Sequence, residues 1–364
     1  MGVNFQTPIV VKPYEFTWFD VELPDPGPHE AIFRNRACLI CGSDLHLYKG
    51  LHPFAPLPAC CGHEVAADVV EVGSMVKSLE VGDRVYVSGA GASPIPCNQC
   101  FNCVRGDTAN CMNPKIPISF EVDGKRVARF PSGYGEYTMG HEGKAFKIPG
   151  SVSYFEAAVT TDLAYVMGVV KRSGTKIGNS AVILGAGPIG LRTLEVARIT
   201  GVSPIIVSEP VDYRRKCAKE LGADEVVDPK DEDPVKTVMS ITDGVGVDTV
   251  FDTVGSNIAT CQGLGMLKTG IGGAGTLILM GLFESPELSF NVSDLMRKAG
   301  KIVAEWGVRS GRRKNIEDAL SMMRHGKFNI LKWITHKIPE DKADYAMMML
   351  IEKQDRAIGV EIIH

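Results

Sequence analysis

A short apolar segment near the middle of the chain runs directly into a glycine-rich loop and then into a segment with helical spacing. Residues 180–184 are strand-like, and residues 191–201 have the apolar spacing of a helix. The loop between them follows the pattern Gly-x-Gly-x-x-Gly and contributes Gly185, Gly187, Pro188, Ile189 and Gly190. The first glycine allows a tight turn, the second lets backbone amides approach a pyrophosphate, and the third lets the helix pack closely on the strand. The order of strand, loop and helix therefore predicts a dinucleotide site at the N-terminus of the helix.

An acidic residue follows at the distance that such a site requires. The next strand-like segment, residues 204–209, ends at Glu209, nineteen residues after Gly190. A carboxylate there can accept hydrogen bonds from both hydroxyls of the adenosine ribose and would repel a 2′-phosphate, so we expect NAD rather than NADP. Arg214 and Arg215 keep NADP open as the alternative, because a guanidinium can pair with that phosphate. The simpler interpretation of both arginines is solvated charge on a helix.

Four cysteines lie close together in the sequence, between residues 97 and 111. Their spacing, Cys97-x-x-Cys100-x-x-Cys103-x7-Cys111, lets a short lobe at about residues 95–113 arrange four thiolates around one zinc ion. Four protein ligands leave no coordination position for a substrate, so we expect this zinc to stabilise the lobe. Unpaired structural cysteines, disulfides and an iron–sulfur cluster are the alternatives.

A second group of metal-ligand residue types lies upstream of the cysteine lobe. Residues 41–46 read Cys-Gly-Ser-Asp-Leu-His, and His63 and Glu64 open another strand-like segment seventeen residues later. The thiolate of Cys41 and the imidazole of His63 are natural zinc ligands that leave room for a substrate oxygen. A buried cysteine or a hydrogen-bonded core histidine would explain either motif taken alone. The neighbouring cysteines that we expect to serve only as apolar packing are Cys38, Cys60 and Cys61.

Length and charge narrow the class of protein. A chain of 364 residues is expected to form two domains, and its 45% hydrophobic content is ample for their cores. No apolar run approaches the roughly 18 to 20 residues that span a bilayer. The net charge of −4 gives no attraction to nucleic acid. The first residues lack the basic start and apolar stretch of a secretion signal, so we expect a cytoplasmic protein with reduced cysteines.

Taken in order, these motifs resemble the zinc-dependent medium-chain alcohol and polyol dehydrogenases, in particular members like sorbitol dehydrogenase and threonine dehydrogenase. The shared motifs are CGSDLH at 41–46, GHE at 62–64, VGDRV at 81–85, the cysteine lobe at 97–111, GAGPIG at 185–190 and ITHKIP at 334–339. The resemblance implies an α/β fold, with a β-rich GroES-like catalytic domain and a Rossmann domain that has a doubly wound parallel sheet. We expect the GroES-like domain at 1–155, the Rossmann domain at 156–300 and a return to the catalytic domain at 301–364.

The resemblance also assigns metal ligands. It makes Cys41 and His63 ligands of a catalytic zinc, with Glu64 beside them as a carboxylate that ligates the zinc or exchanges with water. The third ligand in such relatives is an acid near the domain crossing, which points to Asp162. A helix N-cap without metal is the alternative for Asp162. Together with the cysteine lobe, this implies two zinc ions per chain.

Three residues between 41 and 46 resemble the proton-handling groups of the family. Ser43 corresponds to the relay hydroxyl, His46 to a group that passes the proton on, and Asp44 to the carboxylate that orients the imidazole of His63. A local turn network is the alternative for all three residues.

The implied activity is the reversible oxidation of a secondary alcohol to a ketone, with hydride transfer to NAD. A ligand set with one thiolate and one or more carboxylates favours polyols, sugars or hydroxy amino acids over aliphatic alcohols. Two alternatives remain: a zinc and NAD enzyme with transient oxidation, such as an epimerase or an eliminating enzyme, and a non-catalytic NAD-binding protein. Relatives pair through the last strand of the Rossmann sheet, so we expect a homodimer or homotetramer with residues 275–282 at that edge.

Three further segments have no settled role. Residues 113–130 match no family pattern, and their alternation predicts a hairpin that turns at Asp123 and Gly124. The basic loop 309–314 either contacts an anionic group of the substrate or is solvated. His52 and the two residues after it either line the substrate pocket or form a surface loop.

Overall fold

The chain folds into two units, each with its own core. The computed structural model describes residues 3–90, 96–97, 99–105, 111–114, 118–269, 274–283, 285, 287–305 and 312–364. The first unit consists of Met1–Thr161, Arg309–Gly326 and Ile334–His364, and the second consists of Asp162–Val308 and Lys327–Trp333. The sequence predicted the crossings after residues 155 and 300. The structure places them after residues 161 and 308 and assigns 327–333 to the second unit.

The strands are β1 (Val3–Lys12), β2 (Glu15–Leu23), β3 (Glu30–Leu39), β4 (Ala59–Cys60), β5 (Glu64–Val72), β6 (Arg84–Ser88), β7 (Glu121–Val122), β8 (Lys125–Arg126), β9 (Tyr137–His141), β10 (Ala145–Lys147), β11 (Ala181–Leu184), β12 (Ile205–Ser208), β13 (Glu225–Val227), β14 (Thr249–Asp252), β15 (Thr276–Leu279), β16 (Lys301–Ala304), β17 (Ile334–Pro339) and β18 (Gly359–Ile363). The helices are α1 (Gly42–Tyr48), α2 (Phe101–Val104), α3 (Tyr154–Ala158), α4 (Thr160–Ser173), α5 (Pro188–Ile199), α6 (Asp212–Glu220), α7 (Pro234–Ile241), α8 (Asn257–Met266), α9 (Val292–Lys298), α10 (Arg312–Arg324) and α11 (Ala343–Ile351). Among the described residues, no helix combines the length and the apolar character needed to cross a membrane.

The first unit is built on strands, as the GroES-like prediction requires. Its larger sheet has the order β10-β6-β5-β3-β18-β17, with β9 also paired to β3, and a smaller sheet has the order β2-β1-β4. β3 and β5 run antiparallel with Cys38 opposite Val65. The C-terminal end of β3 and the N-terminal end of β5 therefore lie side by side. This pairing positions the metal-ligand motifs, because one motif follows β3 and the other leads into β5.

The second unit is a doubly wound parallel sheet, which confirms the predicted Rossmann architecture. The strand order is β13-β12-β11-β14-β15-β16, and every pairing along it is parallel. The central strands β11 and β12 are buried along their whole length, because helices cover both faces of such a sheet. The glycine loop follows β11, the first strand of this unit, at the point where the strand order reverses.

The edge of this sheet differs from the sequence prediction. Residues 275–282 were expected to form the last strand, but β15 lies inside the sheet, between β14 and β16. The edge strand is β16, whose four residues pair with Thr276–Leu279 of β15. The sequence prediction ended the domain at residue 300 and missed β16, because a run of one lysine, two branched apolar residues and an alanine is too short to give a strand pattern.

The predicted hairpin in residues 113–130 is present, although 115–117 lie outside the described residues. β7 and β8 pair with Val122 opposite Lys125. Both turn residues have left-handed backbone angles, with φ of 51° at Asp123 and 70° at Gly124. This is the conformation of the tight two-residue turn that Asp-Gly sequences favour. The chain after the hairpin leads to Arg129, which is important for the site described below.

Candidate metal and nucleotide sites

The first metal-ligand cluster forms where the ends of β3 and β5 meet. Cys41 lies two residues beyond β3, and His63 and Glu64 lie at the start of β5. The sulfur of Cys41, an imidazole nitrogen of His63 and a carboxylate oxygen of Glu64 all lie within 4.8 Å of one another. The structure thus brings Cys41 together with His63 and Glu64, which lie more than twenty positions later in the sequence. Thiolate, imidazole and carboxylate are the ligand types that zinc accepts in catalytic sites.

The carboxylate of Asp44 holds the two ligand segments together. Its Oδ2 accepts a hydrogen bond from the N–H of Cys41 at 3.1 Å, and its Oδ1 accepts one from the N–H of Gly62 at 3.2 Å. Oδ1 also lies 3.5 Å from Nδ1 of His63. This geometry agrees with the predicted role of Asp44 in orienting the imidazole, whose other nitrogen, Nε2, lies 4.0 Å from Oε1 of Glu64.

Gly62 is required for this arrangement. Its φ is +93°, and a Cβ at this position would lie 2.5 Å from a ring carbon of Tyr134 and 2.8 Å from the sulfur of Cys38. The backbone can therefore approach Asp44 only with glycine at residue 62.

Asp44 is fully buried but remains ionised. Burial alone would raise the pKa of this carboxyl group, but the nearby charges of His63 and Arg129 and the hydrogen bond from the Cys41 N–H outweigh that effect and lower it. The carboxylate is thus acceptor-only at neutral pH and can hold both backbone amides.

Glu64 shows why a cation fits this cluster. Its side chain is fully buried, and a buried carboxylate is costly unless a cation or hydrogen bonds compensate its charge. A divalent metal ion held by Cys41, His63 and Glu64 would supply that compensation. The donor set and the spacing of the ligand atoms therefore fit zinc.

Ser43 and His46 lie on α1, directly after the ligand Cys41. Their spacing of three residues places them on the same face of the helix. Both side chains are half-buried. Their predicted roles in proton transfer stay predictions.

The cysteine lobe has the geometry of a four-thiolate site. The sulfurs of Cys97 and Cys103 lie 4.0 Å apart, as do those of Cys100 and Cys111, and all four lie within 4.8 Å of one another. A sulfur tetrahedron at the usual zinc–sulfur bond length has edges of about 3.8 Å. The four cysteines therefore fit one zinc ion.

Backbone amides in the lobe favour the thiolate forms. The N–H of Cys97 donates to the sulfur of Cys111 at 3.2 Å, and the N–H of Met112 donates to that of Cys100 at 3.4 Å. The hydrogen bond from Met112, followed by one from Cys103, lowers the pKa of Cys100 to about 6.

The other three upstream cysteines are packing residues, as predicted. Cys38, Cys60 and Cys61 are at most 1% exposed, and burial raises the pKa of each thiol. Neutral thiols in an apolar core are poor metal ligands.

In the second unit, the glycine loop has the predicted strand–loop–helix geometry. Gly185 has a φ of +92°, and a Cβ on Gly190 would lie 2.0 Å from the carbonyl oxygen of Gly185. The helix can pack this closely only because residue 190 is glycine. Gly187 is the N-cap of α5, and Pro188 and Ile189 form its first turn. Binding of a nucleotide at this helix N-terminus stays a prediction.

Glu209 holds the backbone of the glycine loop in place through hydrogen bonds. Its carboxylate accepts hydrogen bonds from the N–H of Ala186 at 2.7 Å and from that of Val211 at 2.9 Å. Two carboxylate oxygens offer about four acceptor positions, so capacity for ribose hydroxyls remains.

The two arginines after Glu209 differ in their surroundings. Arg215 forms an ion pair with Asp228 at 2.7 Å and donates to the carbonyl oxygen of Glu209 at 2.8 Å. Arg214 lies nearer the loop, with its Nη1 4.0 Å from the Cβ position of Gly187. Arg214 is therefore the better placed of the two to meet a phosphate.

Asp162 lies in the second unit, in the first turn of α4. Its carboxylate accepts a hydrogen bond from Nη1 of Arg192 at 2.8 Å, and the side chains of Arg192 and Asp162 are 1% and 8% exposed. The guanidinium of Arg192 also lies over the ring of Trp333, 4.4 Å from its centre. This buried ion pair gives Asp162 a role that competes with the predicted one of metal ligand.

Sequence analysis singled out His52 but missed Arg129. The Nη2 of Arg129 lies 2.8 Å from Nε2 of His52, and its Nη1 lies 3.6 Å from Oδ1 of Asp44. The side chain of Asp44 thus lies between Arg129 and the candidate metal ligand His63. No local pattern in the sequence marks it, because its place depends on the hairpin packing against a distant segment.

The basic loop 309–314 is described only from residue 312 onwards. Arg313 donates to the carbonyl oxygen of Gly143 at 3.2 Å and lies over the ring of Phe146, 5.0 Å from its centre. Lys314 pairs with Asp318 on the same helix. These local contacts favour the interpretation of Arg313 and Lys314 as surface charges. Residues 309–311 lie outside the described part of the chain.

Comparison with known proteins identifies related families for both units. The family model of the alcohol dehydrogenase GroES-like domain matches residues 27–150. The family model described as zinc-binding dehydrogenase matches residues 188–325.

Individual relatives match over most of their length. The L-threonine 3-dehydrogenase of Pyrococcus furiosus is 37% identical over 87% of this chain and 86% of its own. The sorbitol dehydrogenase of Halalkalibacterium halodurans is 32% identical over 89% of this chain and 90% of its own. The crystal structure of 2R,3R-butanediol dehydrogenase from Bacillus subtilis is 26% identical, with a TM-score of 0.82 over 99% of both chains.

The cysteine lobe can be tested by counting metal. We expect Cys103→Ser to remove one zinc per chain and to lower the melting temperature, because three thiolates and a hydroxyl bind zinc more weakly than four thiolates. The measurement is elemental analysis of purified protein, with differential scanning calorimetry. Cys261→Ser is the matched control, since Cys261 is exposed on α8, and it should leave both quantities unchanged. An unchanged zinc content in Cys103→Ser would contradict the assignment.

The two candidate roles of Asp162 predict different results for Asp162→Asn. Because its carboxylate already neutralises Arg192, we expect the variant to lose about 3 kcal/mol of unfolding free energy while it keeps its zinc content. Chemical denaturation and elemental analysis measure the two quantities. Asp294→Asn is the control, since it breaks an exposed Asp–Arg pair and should cost less than about 1 kcal/mol. Loss of one zinc from Asp162→Asn would instead establish Asp162 as a ligand.

Proposed function

Because the chain belongs to the zinc-dependent medium-chain alcohol and polyol dehydrogenases, oxidoreductases that act on CH–OH groups, we propose that it oxidises a secondary alcohol to a ketone with NAD as hydride acceptor. The reaction is reversible. The observation that carries the proposal is the cluster of Cys41, His63 and Glu64 in the first unit, in a chain whose second unit has a dinucleotide-type glycine loop.

The first unit would hold the catalytic zinc through Cys41, His63 and Glu64. Zinc bound there supplies Lewis acidity toward the substrate oxygen. Asp44 faces Nδ1 of His63 at 3.5 Å, which would leave Nε2 for the metal.

The proton and the hydride leave the substrate by different routes. A nicotinamide cofactor held at the glycine loop of Gly185, Gly187 and Gly190 would supply the acceptor for the hydride of the carbinol C–H bond. The hydroxyl proton is lost to water. Ser43 can accept that proton while it donates its own, and His46, on the same helical face, can pass a proton on toward solvent.

The proposed substrate is a polyol, a sugar or a hydroxy amino acid. Two relatives are named for such substrates, L-threonine and sorbitol. Both molecules carry a second polar group next to the carbinol. The ligand set of one thiolate, one imidazole and one carboxylate is harder than a set with two thiolates and suits an oxygen-rich substrate.

NAD is the proposed cofactor because Glu209 lies beside the glycine loop with acceptor capacity left for ribose hydroxyls. A carboxylate at this place disfavours the 2′-phosphate of NADP. The position of Arg214 keeps NADP as the alternative. The expected homodimer or homotetramer stays a prediction, and β16 is the strand that such an interface would use.

The proposed activity can be tested directly. Purified protein of known zinc content is incubated with NAD or NADP and a panel of polyols, sugars, hydroxy amino acids and simple alcohols, and absorbance of the reduced cofactor is followed. We expect NADH to accumulate with one of the first three classes. Product formation without net NADH would favour transient oxidation, as in an epimerase or an eliminating enzyme. No reaction from protein that holds both zinc ions and NAD would contradict the proposal for these substrates.

Cofactor choice can be tested at Glu209. The carboxylate is expected to accept hydrogen bonds from the ribose hydroxyls. Glu209→Gln should therefore raise the KM for NAD about tenfold and reduce the enzyme's preference for NAD over NADP. Steady-state kinetics with both cofactors measure this change. Glu220→Gln, on the exposed end of α6, is the control. A wild-type enzyme that prefers NADP would overturn the assignment.

A further inference from the structure

Arg129 is held in an unusual backbone conformation beside the metal-ligand cluster. Its φ is 60°, in the left-handed region that residues with a side chain rarely adopt. The neighbouring residues fix this conformation. The N–H of Ala128 donates to the carbonyl oxygen of Pro58 and its carbonyl accepts from the N–H of Cys60, both at 2.9 Å. On the other side, Phe130 is buried and stacks on Phe120. Strained conformations that the surroundings enforce are common at functional sites.

The guanidinium of Arg129 has fewer acceptors than it can use. It carries five N–H donors in a fixed plane. Its Nη2 faces His52 at 2.8 Å. Its Nη1 is buried and has no hydrogen-bond partner among the described residues. The nearest carboxylate oxygen, Oδ1 of Asp44, is 3.6 Å from Nη1, which is too far for a hydrogen bond.

Asp44 could move within hydrogen-bonding distance of Arg129 only by losing other hydrogen bonds. Its carboxylate already accepts from the N–H groups of Cys41 and Gly62 and faces His63. A shift toward Arg129 would loosen the two segments that carry the metal ligands. Asp44 therefore balances part of the charge of Arg129 but does not satisfy its donors.

His52 is also a limited acceptor. Donors face both of its ring nitrogens, the N–H of Phe54 at Nδ1, 3.1 Å away, and Arg129 at Nε2. A neutral imidazole has one lone pair, so it can satisfy only one of these donors. Burial, followed by the charge of Arg129, lowers the pKa of His52 to about 4. The imidazole is therefore neutral at pH 7 and adds no negative charge to the site.

We propose that Arg129 and His52 form a subsite for an anionic group on the substrate, a carboxylate or a phosphate. The side chain of Arg129 is 18% exposed, but Nη1 itself is buried, so the guanidinium has to turn outward to meet an anion. The planar donors of a guanidinium match the oxygens of both anions. An anion bound to the turned guanidinium would accept a hydrogen bond from Nη1, and His52 would turn its N–H toward the same anion. The side chain of Asp44 lies between this subsite and the candidate metal ligand His63.

This inference rests on the proposed function, and it narrows the substrate to hydroxy acids, hydroxy amino acids or phosphorylated polyols. The carbinol would lie at the cluster of Cys41, His63 and Glu64, while the anionic group would lie at Arg129. Binding at two points orients the carbinol C–H bond for hydride transfer.

The test compares pairs of substrates in which one partner carries the anionic group and the other does not. Threonine is paired with threonine amide, and a polyol such as arabitol with its phosphate ester. The variants are Arg129→Gln, which removes the charge, and Arg129→Lys, which keeps it without the planar donors. Arg126→Gln is the control, because Arg126 is exposed in the same hairpin. Zinc content and circular dichroism are measured for every variant.

For the zinc-loaded enzyme, we expect Arg129→Gln to raise the KM for the anionic partner of a pair at least about tenfold, and to change kcat/KM for the neutral partner less than about threefold. Arg129→Lys should lie between wild type and Arg129→Gln, and Arg126→Gln should match wild type. The pair that shows the larger effect decides between a carboxylate and a phosphate. Equal losses on neutral and anionic partners, or loss of one zinc, would show that Arg129 acts only through Asp44 and would overturn the proposal.

A binding measurement separates this proposal from the proposed function. Isothermal titration calorimetry of the zinc-loaded protein with acetate and with inorganic phosphate reports on the subsite without turnover. Binding of either anion that is weakened at least about tenfold in Arg129→Gln supports the subsite, even if no alcohol in the panel is oxidised. Identical binding, or identical absence of binding, in wild type and Arg129→Gln overturns it.

Discussion

The carboxylate of Asp44 accepts hydrogen bonds from backbone amides of two segments that meet at the ends of β3 and β5. These contacts set the distance between Cys41 and His63, and the same carboxylate faces the imidazole of His63. Because Asp44 is fully buried, water does not compete for these contacts, and each is stronger than it would be on the surface. The spacing of the segments that carry Cys41 and His63 and the incomplete pairing of Arg129 both depend on this one group.

In the second unit, too, a buried carboxyl group holds a backbone loop through hydrogen bonds. Glu209 is also buried, and its carboxylate accepts the N–H of Ala186 inside the glycine loop. In both units, a buried carboxyl group holds a loop whose backbone must adopt one conformation for a ligand to bind. Asp44 also faces the candidate metal ligand His63.

Motifs that are local in sequence were predictable, and contacts between distant segments were not. The four cysteines, the glycine loop and the Asp-Gly hairpin each depend on spacings within about twenty residues, and turn, ligand and helix geometry then dictate the structure. The residue types and order of Cys41 and His63 suggested that both bind one zinc ion, and the family resemblance supported that link. Neither source predicted the pairing of Asp162 with Arg192 or of Arg129 with His52, because each depends on packing of elements far apart in the chain. The edge strand β16 was missed since its pattern is short.

The second unit includes a short segment, Lys327–Trp333, that is separate in sequence from its main segment, Asp162–Val308. Trp333 is fully buried there against Arg192, and the N–H of Asn329 donates to Glu195 of α5 at 2.6 Å. Residues that follow α10 in the sequence thus contact α5, the helix that begins at the glycine loop. Exchange of the cofactor module between homologues, whether in evolution or by protein engineering, must therefore move two separate pieces of chain. Recombination within 162–308 alone would leave Arg192 without its contact to Trp333 and Glu195 without its hydrogen bond from Asn329.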